Sequence, residues 1–483
     1  MGRPTSRAAT SVLPWALAAV TAALALVIVA QVVRSAVEDD TNREVPSLAL
    51  VALVVLITVF TGPLLLRRLD LRVSAALPWV AGVLSAVLAV TLGMLWSPPL
   101  VTTAWTEVVS RGLHVPFGLD QFWDLSLVLK SVDCAAFGFD VYAANNGCLR
   151  DPSIYGPGTL WLQYAPFDLF SARNSTALGF TAVMISSLAL VWIARLATAR
   201  GQIALLIAAV SGSWLLLLER SNFDAFVIWA AVLLAFLVRR WNSLWAWTLG
   251  AALLWLVGTW KYYPFALGLM LVPVLVLRRG WLVLAGFAAA SLAFVTITWD
   301  NLVFSVQANE GMPVNIDLVI LGRFPVVTRM FGADTDPATL QLADALFVVL
   351  ALAGLGWGIA FARALRGVRR TESMLAVGGS TLFLTSVLVS GFGYAYKAAF
   401  LLLVVPLLAL PRNPRDRFVL YSSLVMLAMV AVATVVVWNT VLATVAGITV
   451  AGFGMGASAT LLARGLRGRR RSRGETGAAV VGM

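Results

Sequence analysis

The chain has 483 residues, of which 60% are hydrophobic and 12% are charged, and its mean hydropathy is +0.90. This composition excludes an ordinary soluble domain. Apolar runs of about 18 or more residues, each long enough to cross a bilayer as a helix, recur along the chain. Because the runs are continuous rather than alternating, they predict an all-α polytopic membrane protein and not a barrel. In such a protein the net charge of +12 is explained by basic residues that orient the membrane spans. We therefore expect no nucleic-acid partner.

The positions of the charged residues predict the topology. Short basic clusters, such as Arg239–Arg240 and Arg278–Arg279, separate alternate apolar runs, whereas most Asp and Glu residues lie in the other loops. The positive-inside rule therefore predicts a multi-pass plasma-membrane protein with about fourteen spans and both termini in the cytoplasm. The acidic loops, and any active site within them, then face the extracytoplasmic side.

In chain order, the sequence predicts four regions. Residues 1–76 form an N-terminal pair of spans, and the first run, Val12–Val33, is retained because it lacks a small-residue cleavage site. Residues 77–411 form the transmembrane core, which has two long outward loops, 97–171 and 299–340. Residues 412–463 form a C-terminal pair of spans, and residues 464–483 form a basic cytoplasmic tail that contacts anionic lipids.

The longest polar interruption in the first half runs from Asp120 to Trp161 and contains five aspartates and both cysteines. On the oxidising outer side a disulfide between Cys134 and Cys148 is permitted, and the alternative is two unpaired thiols. Leu125–Phe137 has the apolar spacing of a helix that lies in the membrane interface, and Gly138 is suited to end it.

Asp124 precedes this predicted helix and has two interpretations. An aspartate at a helix N-terminus is commonly an N-cap, but at the outer membrane surface it could also act as a general base. Asp140 is predicted to shape the loop, and Asp224, inside an apolar run, is predicted to pair with Arg220 at helical spacing.

Several outward motifs follow Asp124 in a fixed order. They are Gly138-Phe-Asp-Val-Tyr142, Tyr155-Gly-Pro-Gly158, ERSNFDAFVIW from Glu219, Lys261-Tyr-Tyr-Pro264 and GFGYAYK from Gly391. The set resembles the GT-C superfamily, in particular the actinobacterial polyprenol-phosphate-dependent mannosyl- and arabinofuranosyltransferases of glycosyltransferase family 87. The sequence departs from that family at Tyr155-Gly156, where the family has Tyr-Pro, so the resemblance does not define the shape of that turn.

The resemblance implies a GT-C-like bundle with interfacial helices in its extracytoplasmic loops. It also implies an inverting enzyme that transfers mannose or arabinofuranose from a polyprenyl-phosphate donor to a cell-envelope glycan or glycolipid. Asp124 matches the position of the family's catalytic base, and Asp120 is a second candidate. Counting loops from the N-terminus would instead select Asp39 or Asp40, but the helix and the Gly-x-Asp-x-Tyr motif do not follow there.

Transfer from a lipid phosphate also requires cations for the leaving group and surfaces for the sugar. Lys261, Arg220 and Lys397 are favoured as phosphate ligands because they lie in family-like motifs, and Arg323 and Arg329 are further outward cations. The alternative for each is a snorkelling anchor. The candidate substrate-binding residues are Trp123, Tyr142, Tyr155, Trp161, Asn222 and Tyr262.

The sequence requires no cofactor. His114 is the one histidine, so a His-based metal site is excluded, whereas a divalent cation held by carboxylates stays open. A transporter or flippase of a lipid-linked sugar is the alternative function, and it predicts charges spread through the spans and broken helices near the midplane. A structural or assembly subunit is a third hypothesis.

Overall fold

The structure, a computed structural model, describes residues 71–95, 122–143, 147–149, 152–310, 320–322, 337–365, 370–389, 392–408, 417–435 and 440–480. The predicted first two spans lie outside the described residues. The same is true of several predicted site residues, namely Asp39, Asp40, His114, Asp120, Arg323 and Arg329.

Helices account for almost all of the described part. They are α1 (Leu71–Leu95), α2 (Trp123–Ala136), α3 (Ser175–Leu196), α4 (Ala199–Ala209), α5 (Gly212–Glu219), α6 (Asp224–Trp241), α7 (Leu244–Lys261), α8 (Gly280–Ile297), α9 (Trp299–Glu310), α10 (Pro337–Ala364), α11 (Arg370–Leu384), α12 (Val405–Leu408), α13 (Arg417–Val435) and α14 (Thr440–Val480). The predicted all-α class is therefore confirmed.

Between these helices lie shorter elements. The 3₁₀ segments are Pro157–Tyr164, Pro166–Asp168, Ala172–Asn174, Tyr263–Val276 and Ala395–Val404, and a π-helical turn covers Thr385–Val389. Two three-residue strands, β1 (Ile320–Gly322) and β2 (Phe392–Tyr394), pair antiparallel. This pair is the only strand structure that the described residues show.

Five helical stretches in the described part are long and apolar enough to cross a membrane: Ala172–Leu196, Gly280–Ile297, Gln341–Ala364, Arg417–Val435 and Val441–Leu466. Helices α4 and α5 form a sixth if they are one span, bent by 56°. Large apolar side chains such as Leu292, 70% exposed, and Ile297, 83% exposed, lie on the surface of α8, as expected where lipid replaces water. The membrane-spanning character agrees with the composition, whereas the number fourteen stays a prediction.

Helices α10 and α14 pack together through glycines. A Cβ on Gly354 would lie 2.4 Å from the Thr449 carbonyl oxygen, and one on Gly358 would lie 2.1 Å from that of Phe453. Both contacts advance four residues along both helices, so the helices run parallel. Small residues at four-residue spacing permit this close approach of two backbones.

The polar turns and the arginine pairs lie at opposite ends of the same helices. Asp224 is the first residue of α6, and Arg239 and Arg240 are in its last turn. At the arginine end, Arg370 Nη1 donates a hydrogen bond to Asn242 Oδ1 at 2.9 Å. This separation agrees with the sequence pattern, and which end faces outward stays a prediction.

Candidate functional site

Packing against α3 fixes the start of α2. Phe122 precedes the helix in a left-handed conformation with φ 54°, and its ring is fully buried edge-on against Phe180, with centroids 5.2 Å apart. A Cβ on Gly179 of α3 would lie 2.1 Å from that ring, so only glycine fits there. Asp124 is therefore held in the first turn of α2. The N-cap interpretation of Asp124 is wrong, because Phe122 occupies the cap position.

The Asp124 carboxylate binds two side chains from the turn between α5 and α6. Arg220 Nη1 lies 3.3 Å from Oδ1, and Asn222 Nδ2 donates to Oδ2 at 2.5 Å. The Asp124 side chain is 10% exposed and that of Arg220 is 12% exposed, so water screens this pair poorly. These two contacts hold the carboxylate in a fixed orientation, as a general base requires.

Asn222 connects Asp124 to a second carboxylate. Its Nδ2 group donates to Asp124 and, at 2.9 Å, to the Tyr396 hydroxyl. Its Oδ1 accepts from Lys261 Nζ at 2.6 Å and from the backbone N–H of Asp224 at 3.0 Å. Both donors and both acceptor positions of the amide are thus in use, which fixes its orientation.

Asp224 is fully buried and holds two ammonium groups. Lys261 Nζ lies 2.9 Å from Oδ1, and Lys397 Nζ lies 2.6 Å from Oδ2. The Tyr263 hydroxyl also donates to Oδ1, and it accepts from Lys397 Nζ at 3.0 Å. A buried carboxylate needs such partners because an unpaired buried charge is costly.

The predicted pairing of Asp224 with Arg220 is wrong. Arg220 lies in the turn before α6, and Ser221 follows it with φ 43°, so the two residues do not share a helix and helical spacing does not apply. Arg220 instead pairs with Asp124, and Asp224 pairs with the two lysines.

We call the connected groups the polar cluster: Asp124, Arg220, Asn222, Asp224, Lys261, Tyr263, Tyr396 and Lys397. The snorkelling alternative does not fit its cations, because the side chains of Arg220, Lys261 and Lys397 are 12%, 13% and 9% exposed. Five predicted site residues are thus brought together: Asp124, Arg220, Asn222, Lys261 and Lys397.

Tyr263 and Tyr396 belong to the polar cluster, whereas the motifs of the sequence point to Tyr262 instead. Tyr262 has φ 59° and ψ −56°, and its hydroxyl donates to the Thr298 carbonyl at 3.4 Å, beside Phe294 rather than in the cluster. The motifs Lys261-Tyr-Tyr and Tyr-Ala-Tyr-Lys397 indicate that tyrosines belong to the site, since both place several tyrosines within reach of a lysine. They did not show which tyrosine turns inward.

Of the other predicted aromatic residues, Tyr155 lies against the polar cluster, Tyr142 binds Tyr155, and Trp161 packs on another tryptophan. The Tyr155 ring lies 5.2 Å from Lys261 Nζ, and the Tyr142 hydroxyl donates to the Tyr155 carbonyl at 3.0 Å. Trp161, 43% exposed, stacks on Trp255 at 5.8 Å. Trp123 is half-buried at the start of α2. Tyr155 therefore contacts a candidate phosphate ligand.

The loop that carries Tyr142 and Tyr155 is fixed at both ends. Asp140 Oδ1 accepts from the Tyr142 N–H at 3.0 Å, which confirms its predicted structural role. Burial is the main cause that raises the pKa of the Tyr142 hydroxyl, which therefore stays a neutral donor. The Gly156 N–H donates to the Trp260 carbonyl at 2.7 Å, and a Cβ there would lie 2.3 Å from the Thr259 carbonyl oxygen.

Of the two alternatives for the cysteines, the structure has the disulfide. Cys134, in the last turn of α2, is bonded to Cys148, with Cα atoms 5.9 Å apart and a sequence separation of 14 residues. Gly138 lies inside this closed loop with φ 84°, as expected of the residue that ends the helix.

Breaking this disulfide is expected to destabilise the chain by about 3 kcal/mol, because it constrains a loop of about 15 residues in the unfolded chain. Thermal unfolding in detergent, with and without a phosphine reductant, measures the effect. The variant Cys134→Ser/Cys148→Ser is the matched control, since the chain has no other cysteine and the reductant should leave that variant unchanged. An equal effect of the reductant on both proteins would contradict the prediction.

Left-handed backbone conformations flank the polar cluster. Phe122, Ser221 and Tyr262 all have positive φ, and each lies within two residues of a charged member. Such conformations cost about 1–3 kcal/mol each in residues other than glycine and concentrate at functional sites. They support the assignment of a functional role to this end of the bundle.

The described residues contain no group of three or more His, Cys, Asp or Glu side chains that could hold a metal ion. No family model, no curated protein and no solved structure matches the chain. The assignment of a function therefore depends on the polar cluster and on the motifs that supply its residues.

Proposed function

We propose that the chain is a GT-C-type integral membrane glycosyltransferase. It transfers mannose or arabinofuranose from a polyprenyl-phosphate donor to a cell-envelope glycan or glycolipid at the extracytoplasmic face of the plasma membrane. The observation that supports this proposal is the convergence of a carboxylate, Asp124, with three cations whose side chains are at most 13% exposed, at one end of a helical bundle.

In this proposal Asp124 is the general base. As the acceptor hydroxyl attacks the anomeric carbon, its proton passes to the carboxylate, and the bond from that carbon to the phosphate oxygen breaks with its electron pair on the phosphate. Attack opposite the leaving group inverts the configuration. A carboxylate offers about four acceptor positions, and Arg220 and Asn222 occupy two of them, so a position for the hydroxyl remains.

The cations of the cluster stabilise the charge that develops on the departing phosphate. An ammonium group has three N–H donors. Lys261 uses two, on Asn222 and Asp224, and Lys397 uses two, on Asp224 and Tyr263. Each lysine therefore has one donor for a phosphate oxygen. Because Asp224 holds both ammonium groups, these donors lie close together before the substrate binds.

A reconstituted assay tests the reaction class. The purified protein in liposomes is supplied with radiolabelled polyprenyl-phosphate mannose or polyprenyl-phosphate arabinose and a lipid or oligosaccharide acceptor extracted from cell envelopes. We expect the label to move to the acceptor from one of the two donors, with release of polyprenyl phosphate. Protein-free liposomes are the control, and an intact donor after long incubation with both sugars would contradict the proposal.

A transporter of a lipid-linked sugar is the second candidate, and one observation favours it. The bend of 56° between α4 and α5 breaks a candidate span, as the transporter hypothesis predicts. The same liposomes separate the two functions when the donor carries a fluorescent group that is bleached from outside. A transporter moves the donor between leaflets without cleaving it, whereas the glycosyltransferase cleaves it.

A further inference from the structure

A cluster of exposed apolar residues lies in the short loop before α3. Tyr164 is 80% exposed, Phe167 is 96% exposed and Leu169 is 48% exposed. Single exposed apolar residues are normal on any protein, but three within six residues, two of them aromatic, form a patch that indicates an interaction surface. We call residues 164–169 the aromatic loop.

The aromatic loop is held rigidly in the conformation that exposes Phe167. Phe167 and Asp168 have φ values of 62° and 48°, a left-handed conformation that residues with a Cβ adopt rarely. Asn174 Nδ2 donates to the carbonyl oxygens of Asp168, at 2.9 Å, and Leu169, at 3.2 Å. Arg173 Nη2 also lies 2.8 Å from Asp168 Oδ2. These bonds keep the ring of Phe167 on the surface.

The position of the loop along the chain indicates what covers this surface. The candidate membrane span Ala172–Leu196 begins three residues after Leu169. Asp133 of α2 accepts from the Ala172 N–H at 2.9 Å and from the Ser171 hydroxyl at 3.2 Å, so α2 is attached at the same level. Residues that directly precede a spanning helix lie at the boundary between hydrocarbon and headgroups, where aromatic side chains concentrate.

We propose that the aromatic loop inserts into the lipid bilayer, with Phe167 among the upper acyl chains. The exposed ion pair between Arg173 and Asp168, whose side chains are 66% and 76% exposed, then lies in the headgroup layer, where water and phosphate groups solvate it. Lipid is favoured over a protein partner because the loop directly precedes a candidate span that itself exposes large apolar side chains, Met184 and Leu188, both 53% exposed. This inference does not depend on the proposed glycosyltransferase activity.

A spin label at position 167 tests the proposal. The two cysteines of the chain are bonded to each other, so Phe167→Cys introduces the one free thiol for a nitroxide label. With the protein in liposomes, power saturation compares collisions with oxygen, which partitions into lipid, and with a water-soluble nickel chelate. We expect oxygen accessibility to exceed nickel accessibility. Leu292→Cys, on the exposed surface of the span Gly280–Ile297, is the matched lipid control.

Two other outcomes would overturn the proposal. Nickel accessibility above that of oxygen would place position 167 in water. Low accessibility to both reagents would show that a protein surface covers the loop. If the Phe167→Cys protein does not fold, Tyr164→Cys, at a site 80% exposed, provides the same comparison.

Discussion

Replacing Asp224 by alanine is expected to destabilise the folded chain by about 3–5 kcal/mol, because removing one partner of a buried ion pair leaves the other charge uncompensated. Here the change leaves two ammonium groups, Lys261 and Lys397, facing each other without their shared carboxylate. It also removes an acceptor of the Tyr263 hydroxyl. Chromatography after heating in detergent measures the fraction that stays folded.

A double variant tests whether the loss of charge balance, rather than the change in side-chain shape, causes this destabilisation. Asp224→Asn/Lys397→Met removes one negative and one positive charge, so Lys261 keeps Asn222 as its partner and one uncompensated ammonium group remains instead of two. We expect this double variant to be more stable than Asp224→Asn alone, as a coupling between residues in contact requires. Arg173→Ala, which breaks an exposed pair, should change stability by less than about 1 kcal/mol. A double variant no more stable than the single one would contradict the assignment.

Much of the helical architecture follows from the sequence because hydropathy is a local property. The long apolar stretches of the sequence from about residue 172 onward lie in helices or 3₁₀ segments of the described part. The run after Lys261 is a 3₁₀ segment with Pro264 at its start and Pro273 inside it, and proline removes an N–H that an α-helix would use. The bend between α4 and α5 falls at Ser211-Gly212-Ser213, residues typical of turns, within a run that hydropathy alone predicts as one continuous span.

It was easier to predict which residues form the site than which of those residues pair with one another. Asp124, Asn222 and Lys261 lie in three separate polar stretches of the sequence. The charge pattern was sufficient to place those stretches at one end of the bundle. Which groups pair depends on backbone conformations that the sequence does not display, such as the left-handed Ser221 and Tyr262. The pairing of Asp224 was therefore predicted wrongly, although its need for a cation was recognised.

The change Asp124→Asn is expected to reduce sugar transfer by about 10²–10⁴-fold, the usual contribution of a positioned general base. Asparagine has the same shape as aspartate, but its amide does not take a proton from the acceptor hydroxyl. Because the donor phosphate is bound by the lysines in the proposed mechanism, kcat should fall while KM for the donor stays within a few-fold of wild type. Initial rates with labelled donor in liposomes measure both constants.

Two comparisons make this prediction specific to Asp124. Lys261→Gln should differ by raising KM for the donor as well as lowering kcat, because that variant removes a proposed ligand of both the bound and the departing phosphate and leaves the carboxylate of Asp124 in place. Asp133→Asn changes another carboxylate of the same helix, which binds Ser171 and Ala172 rather than the polar cluster, and should leave kcat nearly unchanged. If transfer by folded Asp124→Asn stays within about tenfold of wild type, below the contribution of a general base, the base lies elsewhere. Asp120 and the pair Asp39 and Asp40 would then be the carboxylates to change next, because Asp120 is the second candidate from the same loop and Asp39 and Asp40 lie in the first predicted outward loop.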